Sequence, residues 1–214
     1  MAATASFSTD GLAGLEHNFL TGPWERHLLG LGDLLAIESA ARDNERREPS
    51  EVDAAAARAV LDRVIDQVED LRHPSADGVR FLAECMQEKV AIGLRAGHPY
   101  YEEGTEHYLA YLWEARGGQA AFHGELLWAG LAASAVLQGW PERRRAVYRV
   151  LARTLAGVFR TPAQLAGTAA APDLAFADAA SYCRRNGYTN TVLLDDPSAD
   201  VLQRAARAWT AATF

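Results

Sequence analysis

Three residues stand where a plain helical core would not put them. Asp33 lies in Gly30-Leu31-Gly32-Asp33-Leu34-Leu35-Ala36, a carboxylate inside a run of leucines. A lone carboxylate buried there costs several kcal/mol, so Asp33 calls for a partner or a metal, unless it caps or breaks the helix at the surface. His107 follows Gly104-Thr105-Glu106 at the start of one helix, and His123 opens the most apolar stretch in Phe122-His123-Gly124-Glu125. Imidazole and carboxylate are the ligands of divalent transition metals, but two histidines alone make an incomplete site. Helix-end histidines bonded to backbone are the other reading of the same spacing.

The elements that must position these residues are helices. Leu28, Leu29, Leu31, Leu34 and Leu35 recur at helical spacing within a predicted helix over 23–41. A charged loop with Pro49 follows over 41–51. Ser50 is placed to cap a helix whose inner stripe is Val52, Val60, Leu61, Val64, Ile65 and Val68. A third helix, 78–96, is capped by Ser75 or Asp77 and points Val79, Leu82, Ala83, Met86 and Val90 inward, until Gly97-His98-Pro99 breaks it. Helices over 106–115 and 120–138, separated by Gly117-Gly118, are expected as antiparallel neighbours. Further helices are expected from Trp140-Pro141, with Arg143 to Arg145 facing solvent, and over 162–166, 173–183 and 198–211. A small-residue loop covers 167–172, and 189–194 (TNTVLL) is strand-like but too isolated to build a sheet. The expectation is an all-α fold, a single multi-helix domain over 19–214 preceded by a flexible tail over 1–18.

Composition narrows the classes. The chain has 214 residues, 49% of them apolar, and 21 basic against 28 acidic residues give a net charge of −7. That is enough apolar surface for a core, and the acidic balance argues against an electrostatic nucleic-acid binder. The longest apolar stretch, 126–137, is far short of the roughly 20 residues a membrane span needs. Cys85 and Cys183 cannot make a disulfide framework, and the N-terminus lacks the pattern of a signal peptide, so a cytoplasmic protein is expected.

Three motifs in order resemble a known family. A Gly-x-Gly-Asp on one helix (Gly30 to Asp33), a Glu-His pair opening another (Glu106-His107) and a His-Gly-Glu opening the next (His123 to Glu125) are similar to the metal site shared by sn-glycerol-1-phosphate dehydrogenase, iron-containing alcohol dehydrogenases, glycerol dehydrogenase and 3-dehydroquinate synthase. The stretch Glu103-Gly104-Thr105-Glu106-His107 is most similar to the glycerol-1-phosphate dehydrogenase pattern, and the helix over 81–97 and the 184–193 stretch extend the likeness over about 23–194. The resemblance implies a helical C-terminal domain and metal ligation by Asp33, His107 and His123. An acid and two imidazoles leave open coordination positions, which suits a catalytic Zn, Fe(II) or Ni ion. It also implies Glu106 and Glu125 as groups orienting the histidines, with acids favoured at helix N-termini as the plainer account.

The chain departs from the family in three places. The family's N-terminal nucleotide-binding domain has no counterpart in the predicted elements. Tyr111 stands where a proton-relay histidine is usual, and Ile37 or Ala36 stands where many members carry a lysine. The resulting expectation is a metal-dependent, glycerol-1-phosphate dehydrogenase-like oxidoreductase acting on a polyol or glycerol-phosphate-type substrate. NAD(P) would be supplied by a Rossmann-type partner subunit, with Tyr111 and Glu106 as catalytic groups. The alternatives are a redox-neutral metal enzyme on a sugar or polyol phosphate, and a non-catalytic relic. His98, Arg184 and Arg185 are candidate phosphate contacts, with loop and helix-end roles as the plainer reading. A homo-oligomer is compatible with all of this; no nucleic-acid or membrane partner is expected.

Overall fold

Serines punctuate the chain where helices begin. A computed structural model describes residues 28–47, 49–73, 75–116, 121–166 and 176–214. The expected tail, His17, His27, the Gly117-Gly118 stop and the 167–172 loop lie outside them. Helix α1 (Gly30–Leu35) and helix α2 (Ile37–Asn44) are followed by a 3-10 turn over Glu45–Arg47. Helices α3 (Glu51–Leu71) and α4 (Ala76–Ala96) start at Ser50 and Ser75, whose hydroxyls accept from Asp53 N and Gly78 N. Gly97, at φ +73, ends α4 in the left-handed region that glycine adopts without strain. Then come α5 (Thr105–Ala115), α6 (His123–Leu137), α7 (Glu142–Thr154), α8 (Pro162–Ala166) and α9 (Phe176–Asn186). A second 3-10 turn (Val192–Asp195) and α10 (Ala199–Ala211), capped by Ser198, close the chain. The described residues contain no strand, and the fold is a single all-α domain.

Helix α6 is the centre. Every residue from Gly124 to Ala135 is buried, as its lack of a polar face requires. Helices α10, α5 and α1 pack around it. Two of these approaches are close enough to need glycine. A Cβ on Gly32 would lie 2.9 Å from the Cα of Gly124, and one on Gly130 would lie 2.6 Å from the Glu106 carbonyl oxygen. Glycine here lets backbone meet backbone, which brings α1 and α5 onto α6 beside the residues that follow Gly32 and Glu106 in sequence.

Several expectations change. The 23–41 helix is broken at Ala36, and its continuation runs to Asn44, so most of the expected 41–51 loop is helical. The strand-like 189–194 run is irregular over 189–191 and enters a 3-10 turn at Val192. The Asn190 amide donates to the carbonyls of Glu103 and Tyr100, and the Thr191 hydroxyl pairs with that of Thr105, so this segment is tied to neighbouring turns rather than extended. Val52 is 72% exposed, outside the stripe it was placed in. Arg144 leaves solvent to bind Glu38. The inner face of α4 is Leu82, Cys85, Met86, Lys89, Ile92 and Gly93; Val79, Ala83 and Val90 are only half-buried. No helix among the described residues is long and apolar enough to cross a membrane.

Candidate metal centre

The three motifs converge. Asp33 comes from α1, His107 from the first turn of α5 and His123 from the first residue of α6. One carboxylate oxygen and one ring nitrogen from each histidine lie within 4.8 Å of one another. Asp33 and His107 are buried, and His123 is half-buried, so the cluster opens on the His123 side. His107 Nε2 is 3.4 Å from Asp33 Oδ1.

Each ring is held from behind. The Nδ1 of His107 lies 2.9 Å from Glu106 Oε1, and the Nδ1 of His123 lies 2.9 Å from Glu114 Oε1. A carboxylate on Nδ1 keeps a proton there, so when a metal displaces the Nε2 proton the ring is left in the tautomer that metal ligation requires. The chemistry of the donor set therefore fits a divalent transition metal. Glu125, expected to orient His123, is turned elsewhere. Its carboxylate accepts from Phe122 N and from the Arg160 guanidinium, closing the first turn of α6, and Glu114 from α5 takes its place at the ring. Glu106 is fully buried behind His107 and also accepts from Gly104 N, so it acts through the ring as a positioning residue.

Electrostatics couple the charged groups of the cluster to one another. Burial pushes the Asp33 carboxyl up, but the Lys89 ammonium, the His107 hydrogen bond and the His123 charge together hold it well below the usual carboxylate range. His107 is driven down by burial and up more strongly by Asp33 and Glu106, ending at about 9. Lys89 Nζ donates to the Asp33 carbonyl oxygen at 3.0 Å and lies 3.5 Å from Oδ1, almost fully buried. This lysine reaches Asp33 from a helix other than the one that carries the acid, whose following positions are Ala36 and Ile37. Lys89 lies on the buried face of α4 with Leu82, Cys85 and Met86.

Four further carboxylates lie around the cluster. Glu114 holds His123. Glu103 accepts from the Tyr111 hydroxyl at 2.8 Å, and the Tyr111 ring lies 5.8 Å from both histidine rings. Glu102 is half-buried, and its carboxyl is raised to about 7, by burial first and then by the neighbouring Glu103 against the pull of Lys89. Beneath the site, Asp43 of α2 accepts from Thr105 N at 2.7 Å and so caps α5. Burial, and then the nearby Glu106 carboxylate, push Asp43 up to about 7, and its Oδ1 and Glu106 Oε2 are buried without partners.

The remaining candidates sit apart from the cluster. The His98 ring accepts from Tyr100 N and stacks on Tyr100 at the end of α4. Arg184 is exposed and pairs with Asp196 at 3.2 Å, and Arg185 is exposed. Neither arginine contacts the triad among the described residues. Cys85 and Cys183 are buried, and burial raises both thiols, Cys183 to about 12, which keeps them unreactive. Compared with known proteins, the chain matches no family model and no curated protein.

Proposed function

We propose that this chain is the metal- and substrate-binding subunit of a metal-dependent dehydrogenase, similar to glycerol-1-phosphate dehydrogenase, acting on a polyol or glycerol-phosphate-type substrate. The observation that carries the reading is the convergence of Asp33, His107 and His123 with a carboxylate seated behind each histidine. Asp33, His107 and His123 would hold a Zn, Fe(II) or Ni ion. When bound, such an ion supplies Lewis acidity that lowers the pKa of an alcohol oxygen.

The protein's own groups do the rest. Glu106 and Glu114 fix the rings. Lys89 turns an ammonium toward the acid and offers a donor to an anionic or carbonyl oxygen of the substrate. Tyr111, hydrogen-bonded to Glu103, holds a proton at its phenol oxygen beside both histidines, where the resemblance places a relay histidine. NAD(P) in this reading is carried by a separate Rossmann-type subunit. A second reading has one observation in its favour: Glu102, a half-buried acid raised to about 7, is an acid–base group at neutral pH, as a redox-neutral elimination or isomerisation needs.

The test is metal analysis and turnover. Protein purified without chelators should carry stoichiometric divalent metal, lost in His107→Ala and in Asp33→Ala. Glycerol 1-phosphate or a polyol should be oxidised only when NAD(P) and a nucleotide-binding partner are added. Turnover without any nicotinamide would favour the redox-neutral reading, and absence of metal in the unaltered chain would remove both.

A further inference from the structure

A cavity of about 450 Å³ lies between α2, α3 and the start of α7, and none of its lining residues belongs to the triad or to the groups that hold it. Its floor is apolar, with Ile37, Leu61 and Val147, and its walls carry four arginines. Glu38, only 7% exposed, is spent on two of them. Its Oε1 accepts from Arg42 Nε at 2.7 Å, and its Oε2 accepts from Arg144 through Nε at 2.8 Å and through Nη2. Each of these guanidinium groups also lies over a ring, Arg42 over Trp140 and Arg144 over Tyr148. Both are therefore fixed in place. Arg42 engages Glu38 through Nε alone, which leaves its terminal N–H donors unspent.

The other two, Arg58 and Arg143, are exposed at the cavity wall and enter no ion pair or hydrogen bond among the described residues. Against the four stand Glu38, already bridged by two arginines, and the exposed Glu45 and Asp62. The cavity thus has a positive surplus in a chain of net charge −7. Arginine offers the planar N–H fork that matches phosphate oxygens, and a buried carboxylate holding two forks is preorganised, so little ordering remains to be done on binding. The volume falls within the range of small-molecule sites.

We propose that this cavity is a separate binding site for a small organic phosphate, with Arg42, Arg58, Arg143 and Arg144 facing the phosphate and the Ile37, Leu61 and Val147 floor taking the apolar body.

Calorimetric titration of the full chain with phenyl phosphate and with inorganic phosphate tests this. Phenyl phosphate should bind saturably, more tightly than inorganic phosphate, and more weakly as salt is raised. Arg58→Gln combined with Arg143→Gln should weaken it at least about tenfold, which is the loss of roughly one charge-assisted hydrogen bond. Both residues are exposed and unpaired among the described residues, so the variant keeps its fold, checked by circular dichroism. His107→Ala should leave binding unchanged. No saturable binding, binding indifferent to the two arginines, or binding abolished by His107→Ala would each overturn the assignment; the last would place the phosphate at the triad instead.

Discussion

The ring of His123 is half-buried, and its orientation depends on one carboxylate, Glu114, nine residues earlier on α5. Groups behind a metal-binding histidine typically contribute 10- to 100-fold in metal affinity. Glu114→Ala should lower affinity for added Zn by roughly that factor in a competition titration, while Glu125→Ala should leave affinity near that of the unaltered chain and instead lower thermal stability, because its partners are Arg160 and the α6 backbone. Equal effects of the two would remove the distinction between them. Asp43 gives a pH signature. Its ordinary value is 3.8 and its folded value about 7, so the native state holds a proton that the unfolded chain releases. A raised folded value means its contribution to stability is full below the unfolded value and is lost as pH rises through 7. Glu102, raised to about 7 from 4.5, acts in the same direction. Thermal stability of the metal-free chain should fall between about pH 4 and 7, and Asp43→Asn, which keeps an acceptor for Thr105 N, should flatten that fall. An unchanged slope would show that Asp43 is not the group responsible.

At the scale of elements, the site depends on how closely helices can approach. Asp33 follows Gly32, and Gly124 follows His123, so the contact between those two glycines sets the separation of two ligands. A methyl group at either position must push α1 from α6. Gly32→Ala should therefore weaken metal binding, whereas Gly97→Ala, at φ +73 with open space around it, should lower thermal stability and leave metal affinity unchanged. The reverse pattern, measured by metal titration and thermal melts of both variants, would contradict the packing argument. The same elements show what could be read beforehand. The end of α4 at Gly97, the helix starts at Ser50, Ser75 and Ser198, and the ligand motifs are local signals, and they were legible; the close approach at Gly32, Gly124 and Gly130 is a tertiary contact and was not. Nor was the phase of α4. Hydropathy favours Val90 over Lys89 on the inner face, and only Asp33, 56 residues away in sequence, makes a buried ammonium at Lys89 affordable. Glu114 was missed for the same reason, since its partner lies across a loop. Asn190 and Thr191 read as strand by propensity, but their side chains are spent on the turns before α5.

Across the whole molecule, the triad joins three helices that begin at widely separated points in the chain, and all three pack on or belong to α6. A metal bound by Asp33, His107 and His123 therefore binds the folded chain and has no comparable site in the unfolded one. Linkage then gives a stabilisation of RT ln(1 + [L]/Kd), about 2.7 kcal/mol when free metal is 100 times Kd. Zn added to the chelated chain should raise the melting temperature progressively with concentration, with no plateau while the free metal stays above Kd. Asp33→Ala should abolish that rise. Its effect without metal is the more informative measurement. In the metal-free chain, Asp33 sits between Lys89 and His107, and removing it leaves the Lys89 ammonium buried with only the residue 33 carbonyl as acceptor. Breaking a buried pair in this way costs about 3–5 kcal/mol. Asp33→Ala should thus melt below the chelated parent, and the double variant Asp33→Ala with Lys89→Met should recover much of that loss while remaining insensitive to Zn. If the double variant melts no higher than the single one, the Lys89–Asp33 contact carries no stability of its own, and the ammonium is held by the backbone carbonyl alone.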